Sequence, residues 1–227
     1  MGRCVMVIGV QRSGTSCVAG VLHRLGVNMG EGYFQQGDKN NQKGYWEDRR
    51  WQKINKDISG NYPAGLYYDV RQPKSIGPKQ LARYKALIDE CKDQPIWGFK
   101  NTRSCFTAQF FWPFLEDVRL VVTQRDPEHS ARSIKEHSRV SHRGRLAMTI
   151  QEARVHTEVF RAALQQRLQA FKGPVHTVNY RRLIATNKIE EVQALADFCF
   201  EGLDITPTEA QFKAARKSLY ERMDHYG

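Results

Sequence analysis

The sequence predicts an α/β domain, a three-layer sandwich whose central, largely parallel sheet is covered by helices on both faces. Three observations carry that expectation. The apolar run Cys4-Val5-Met6-Val7-Ile8 has no polar alternation, the pattern of a strand buried on both sides. From Gly14 the apolar period becomes helical, with Val18, Val21, Leu22 and Leu25 on one face and Gly26 as a stop. Strand-sized apolar runs then alternate with helical stretches along the rest of the chain, the signature of parallel strands joined by helical crossovers.

Taken in order, further strands are expected at Ile96–Phe99, Val118–Thr123 and Val175–Val178. Helices are expected at about Leu81–Cys91, Thr107–Leu115, Pro127–Glu136, Leu146–Phe171, Ile189–Phe200 and Pro207–Met223. The last begins Thr206-Pro207-Thr208-Glu209, which reads as a capping box with proline at the first helical position. A short amphipathic stretch carries Trp51, Ile54 and Ile58, with Glu47 and Asp48 just before it. Ligands of such sheets bind beyond the carboxyl ends of the strands, so the loops after Ile8, Phe99 and Thr123 should converge on one site. Residues 30–75, rich in Gly, Asn, Gln and aromatics, lack a clear period and read as an insert over that site. The 227 residues fit a single domain spanning 1–227.

Lys and Arg total 35 against 24 Asp and Glu, a formal charge of +11 that points to anionic partners. The 41% hydrophobic content is enough for a real core and excludes a chain disordered by composition. Five cysteines, with no C-x-x-C pair, exclude a disulfide scaffold and a zinc ribbon and favour a reducing compartment. No apolar run approaches the roughly 18 residues of a membrane helix, and no signal-peptide pattern opens the chain. A soluble, cytoplasmic protein without a membrane partner is expected. None of the 7 histidines has a metal-site spacing.

The segment Gly9-Val10-Gln11-Arg12-Ser13-Gly14-Thr15-Ser16 lies between the first strand and the first helix. Its glycines let the backbone curl so that N–H groups point inward, and the helix N-terminus adds partial positive charge. Arg12 contributes a full charge, and Ser13, Thr15 and Ser16 contribute hydroxyls. A nucleotide phosphate is the expected occupant. Gly9 and Gly14 have the P-loop separation, but Thr15 stands where G-x-x-x-x-G-K-[ST] has lysine, which argues against a nucleotide kinase with a divergent loop. A basic nucleic-acid-binding module is a further alternative, against which stands the lack of any helix-turn-helix, RRM or finger signature.

With the cation moved to Arg12, the loop resembles the 5′-phosphosulfate loop of sulfotransferases, [K/R]-S-G-[T/S]-[T/S], whose donor is 3′-phosphoadenosine 5′-phosphosulfate (PAPS) and whose nucleotide product is PAP. Three distant segments extend the resemblance. In Val121-Val122-Thr123-Gln124-Arg125-Asp126-Pro127, Arg125 closes a strand and Ser133 follows eight residues later. The family's arginine and serine at that spacing hold the donor's 3′-phosphate. In Trp97-Gly98-Phe99-Lys100, the strand-end Lys100 matches the family's lysine beside the sulfuryl group. In Asn179-Tyr180-Arg181-Arg182-Leu183, Tyr180 matches the tyrosine of "Y-E-D-L" near the nucleotide, although arginines replace the acidic pair.

Asn40-Asn41-Gln42-Lys43-Gly44-Tyr45-Trp46-Glu47 resembles the "N-x-K-G-Y-x-E" segment of bacterial and carbohydrate-type sulfotransferases, and the glutamate base of tyrosylprotein sulfotransferases lies in the same region. The resemblance is therefore closer to those types than to the cytosolic type. It implies Glu47 as general base, with Glu31 as the alternative and a helix N-terminal charge as the non-catalytic role for Glu47. Thr102 occupies the place of the cytosolic branch's histidine base, and the C-terminal R-K-G segment is missing. Lys213, Arg216 and Lys217 could substitute for that segment or form the solvated face of a helix. The resemblance further implies PAPS as co-substrate, PAP as product, no metal, and a small-molecule, glycan or peptide acceptor rather than nucleic acid. Tyr33, Phe34, Tyr45, Trp46, Tyr62, Tyr67 and Tyr68 could stack on such an acceptor or pack the insert down. The basic stretch Lys135–Arg145, with His137 and His142, could steer an anion or simply be solvated.

Overall fold

Four parallel strands, β1 (Arg3–Gly9), β2 (Ile96–Lys100), β3 (Val118–Gln124) and β4 (Val175–Asn179), form one sheet in the order β2-β1-β3-β4. This is a computed structural model, and it describes residues 2–30, 44–59, 75–141, 147–185 and 188–220. The sheet is the expected one, each strand reaching one or two residues further than its apolar run. β1 lies between β2 and β3, with Val7 opposite Lys100 on one side and Gly9 opposite Thr123 on the other. The chain therefore leaves the sheet in opposite directions on either side of β1, and the carboxyl end of β1 is the topological switch point where such sheets bind ligands.

The helices around the sheet are α1 (Thr15–Leu25), α2 (Arg49–Ser59), α3 (Pro78–Cys91), α4 (Ser104–Thr107), α5 (Pro127–Ser141), α6 (Ile150–Ala170), α7 (Tyr180–Ile184), α8 (Lys188–Phe200) and α9 (Glu209–Tyr220). Alternation along β1 supplies both cores. Cys4, Met6 and Ile8 face a cluster with Trp51, Tyr84, Phe106, Phe111 and Phe160, built by α2, α3, α4 and α6. Val5 and Val7 face a second cluster with Val18, Leu22, Leu195 and Leu219, built by α1, α8 and α9. Each fully buried side chain of this size contributes about 1.5–3 kcal/mol, so the continuous apolar run is explained by a strand, β1, that has no solvent face.

Some helix expectations change in detail. The stretch 107–115 is not one helix: α4 gives way to two 3₁₀ turns, Ala108–Phe110 and Trp112–Phe114. Pro113 lacks the N–H an α-helix would need there, and the short turns let Phe106 and Phe111 both reach the core. α6 starts at Ile150 because Thr149 and Glu152 form a reciprocal capping box. α9 starts at Glu209 with Thr208, not Thr206, as its cap: Thr208 N–H donates to Gln211 Oε1 at 2.7 Å and Gln211 N–H to Thr208 Oγ1 at 3.3 Å. No described helix is long and apolar enough to cross a membrane.

Candidate active site

The loop after β1 is held in shape by its own side chains. Ser13 N–H donates to the Val10 carbonyl (3.1 Å), the Ser13 hydroxyl donates to the same oxygen (2.7 Å), and it lies 2.6 Å from Thr123 Oγ1 on β3. Ser13 thus braces the loop and spends its polar groups there. Arg12 (φ 65°) and Gly14 (φ 99°) take left-handed conformations that curl the chain into α1. No acidic residue occupies the first turn of α1, so its N–H groups and positive end of the dipole remain suited to an anion. Gly14 is required twice over: besides its φ, a Cβ there would fall 2.2 Å from the Tyr180 ring.

Tyr180 begins α7, directly after β4, and carries the Arg125 guanidinium over its ring at 4.9 Å. Arg125 Nη1 donates to the Arg12 carbonyl (3.0 Å), and Arg12 Nε donates to Ser133 Oγ (3.0 Å). Ser133 is buried on α5, about two turns from its start at Pro127. Residues 12, 14, 125, 133 and 180, expected at one site from three separated segments, therefore meet at the ends of β1, β3 and β4.

Lys100, the last residue of β2, is buried, and its Nζ donates to Glu47 Oε1 at 2.6 Å. The pair is well shielded, with 3% and 12% of the two side chains exposed. Gln52 Nε2 donates to the other carboxylate oxygen at 3.1 Å. Two tryptophans explain why Glu47 sits there. Trp51 stacks on Phe99 of β2, ring centroids 4.3 Å apart, and draws α2 against the strand. Trp46, held at φ 53°, packs against α1 with His23 at 4.8 Å and the Arg24 guanidinium at 5.2 Å. Arg12 and Trp46 are the only non-glycine residues with positive φ among those described, and both adjoin this site, where backbone strain of this kind concentrates. The helix-start role that competed for Glu47 belongs to Asp48, whose Oδ1 accepts the Arg50 N–H at 2.8 Å.

Between these groups is a cavity of about 280 Å³. Gln11, Arg12, Thr15 and Ser16 line one side, and Tyr45, Glu47, Gln52, Lys100, Thr102 and Arg103 the other. His137 joins them because α5 runs on to Ser141, so it belongs to a helix rather than to a basic loop. A second cavity, about 250 Å³, lies beyond Arg125 and is lined in part by Ser13, Gln124 and Ser130. A larger one of about 510 Å³ lies between α8 and the start of α9, but its lining contains Asp197 and Glu201 and no basic residue, so it is unsuited to an anion. Sequence reasoning missed Gln11, Gln52 and Arg103. Gln11 stood inside the recognised loop; Gln52 and Arg103 carried no signal beyond their nearness to Glu47 and Lys100.

Glu31, Tyr33, Phe34, Tyr62, Tyr67, Tyr68 and His142 lie outside the described residues, as does most of the insert. Arg216 pairs with Glu209 at 2.5 Å, while Lys213 and Lys217 are exposed on α9, and none of the three lines these cavities. Among the described residues no group of three or more His, Cys, Asp or Glu could hold a metal ion.

A family model described as the sulfotransferase family matches residues 4–207, a span that holds every one of the converging groups. The chain belongs to the sulfotransferase family. Sulfotransferase folds also appear among solved structures similar to it. The sulfotransferase STF1 from Mycobacterium tuberculosis H37Rv superimposes with a TM-score of 0.63 at 15% identity, over 96% of this chain and 71% of that one. The sulfotransferase STF9 from Mycobacterium avium gives 0.55 at 14% identity, over 96% and 68%. At such identities the likeness is one of fold, and it agrees with the α/β sheet described above. No curated protein matches the sequence. Membership of the sulfotransferase family supports a sulfotransfer role for the protein.

Proposed function

We propose that the protein transfers a sulfuryl group from PAPS to a hydroxyl or amine of an acceptor, leaving PAP. The observation that carries this reading is the Lys100–Glu47 pair facing the Arg12 loop across one cavity. The residues fit the donor at both ends. Arg12, Gly14, Thr15, Ser16 and the N-terminus of α1 would hold the 5′-phosphosulfate, with Ser13 shaping the loop. Arg125 and Ser133 would hold the 3′-phosphate, and Tyr180 would fix Arg125 from beneath.

Sulfuryl transfer, like phosphoryl transfer, is an in-line displacement that rests on positioning, on cations around the moving oxyanions and on one base. Arg12 and Lys100 supply the cations. The sulfuryl oxygens give Lys100 a second partner, and the acceptor's O–H or N–H then donates to Glu47 in its place. Glu47 removes that proton as the acceptor atom bonds to sulfur and the bond from sulfur to the leaving phosphate oxygen breaks. Tyr45, Gln52, Thr102 and Arg103 form the acceptor side. The acceptor is a small molecule, glycan or peptide; with the basic residues gathered at donor positions, neither nucleic acid nor membrane is needed as a partner. Five free cysteines suit a reducing, cytoplasmic setting.

Thermal-shift measurements test the reading. PAPS and PAP should each raise the unfolding temperature, and ATP with magnesium should do so far less. Stabilisation by ATP with magnesium alone would transfer the assignment to a kinase.

A further inference from the structure

His156 is fully buried on α6, 4.5 Å from the Phe160 ring, and outside the machinery assigned above. Its Nε2 lies 2.9 Å from Gln11 Oε1, joining α6 to the phosphosulfate loop across 145 residues of sequence. A carbonyl oxygen only accepts, so the imidazole proton in this contact is on Nε2. Burial lowers the ring's pKa to about 3, so it stays neutral with a single ring proton through the physiological range. With Oε1 engaged by His156, the amide nitrogen is the end of Gln11 left to face the cavity that Gln11 lines with Arg12 and Lys100. A glutamine without that partner would rotate its flat carboxamide and present oxygen as readily as nitrogen.

We propose that His156 is a positioning residue that fixes the Gln11 carboxamide so that its N–H₂ donates to the oxygens of the transferring sulfuryl group. The proposal rests on the PAPS reading above and adds to it a neutral donor that needs no protonation. It separates the two donor-site ligands: PAPS carries the sulfuryl oxygens that Gln11 would reach, and PAP does not.

The test is the affinity of the full-length protein for PAPS and for PAP, measured before PAPS can hydrolyse. Gln11→Ala should weaken PAPS by about tenfold, the worth of one hydrogen bond to a charged group, and leave PAP nearly unchanged. His156→Phe should reproduce that selective loss. His156→Gln, whose amide nitrogen can stand near the position of the imidazole Nε2, should restore PAPS affinity. Because His156→Phe disturbs a core position, the Gln11→Ala result decides the matter if that variant does not fold. Equal weakening of PAPS and PAP would reduce the pair to a brace for the loop and overturn the proposal, as would no change in either. If the unaltered protein binds neither ligand, the donor reading itself fails; if it binds both and Gln11→Ala is indifferent, only this inference fails.

Discussion

Lys100 Nζ and Glu47 Oε1 are 2.6 Å apart where two segments converge, one at the end of a core strand and one just ahead of α2. Neither side chain can be understood alone. A lysine with 3% of its side chain exposed needs a compensating charge, and a carboxylate with 12% exposed needs donors, which Lys100 and Gln52 supply. The contact gives the protein without its substrates a stable arrangement of the two groups the reaction would use, and each has a natural replacement partner once donor and acceptor arrive.

Removal of Arg125 should divide nucleotides by their 3′-phosphate. Arg125→Ala is expected to lose tenfold to a hundredfold in affinity for PAP, on the order of 1.5–3 kcal/mol for charged hydrogen bonds, while adenosine 5′-phosphosulfate changes little. Binding curves for the two ligands against both proteins check this. Since Arg125 also donates to the Arg12 carbonyl, equal weakening of both would mean that it holds the loop and not the phosphate.

Magnesium should be dispensable. On the PAPS reading, Arg12, Lys100 and the α1 N-terminus would neutralise the charge on the leaving phosphate in a metal's stead, and Thr15 stands where a P-loop enzyme has its lysine. Turnover of PAPS with an identified acceptor should be unchanged by excess EDTA. Loss of activity restored by magnesium would favour the kinase chemistry.

How much of this was legible in the sequence differs by element. The strands were, most clearly β1, because a strand buried on both sides leaves an unbroken apolar run such as Cys4–Ile8, and so was the convergence of residues 12, 100, 125, 133 and 180 at the strand ends. The division of labour between Glu47 and Asp48 was not. Both stand before the same helix, and only the stacking of Trp51 on Phe99 and the packing of Trp46 against α1 decide which carboxylate caps the helix and which meets Lys100. The Gln11–His156 contact was hidden for a similar reason: it spans two elements with no local pattern. Where helix 107–115 broke into short turns, a single proline among core aromatics outweighed the apolar spacing.

His156 should make the fold acid-sensitive in a particular window. Its native pKa, lowered by burial to about 3, lies below the 6.5 of an exposed imidazole, so between these values the unfolded chain binds a proton that the native state does not. Stability is therefore complete above about pH 6.5 and falls as pH drops, by up to about 1.4 kcal/mol per pH unit for this group. Denaturant unfolding at pH 7.0, 6.0 and 5.0 should show that slope, and His156→Gln should reduce it, leaving the part due to His23 and His176, whose burial also lowers their pKa. An unaltered slope in the variant would place the acid sensitivity elsewhere.

Glu47 and Lys100 should fail in different ways when replaced, although they touch. Glu47→Gln keeps the shape and still accepts from Lys100, but it cannot take a proton. Turnover should fall about 10²–10⁴-fold with PAPS affinity nearly intact, and the loss should shrink for acceptors whose hydroxyl is more acidic. Lys100→Ala removes a cation from the transferring oxygens, so its loss of turnover should persist across acceptors of every acidity. It should also destabilise the fold, because the Glu47 carboxylate is left shielded from water with the Gln52 amide, at 3.1 Å, as its donor. Asp48→Ala provides the contrast: loss of a helix cap costs about 0.5–2 kcal/mol of stability and should leave turnover of the folded protein unchanged. Rate measurements with a series of acceptors, paired with unfolding curves for the three variants, separate these outcomes. Near-normal turnover by Glu47→Gln on its true acceptor would remove Glu47 as the base and pass the test to Glu31.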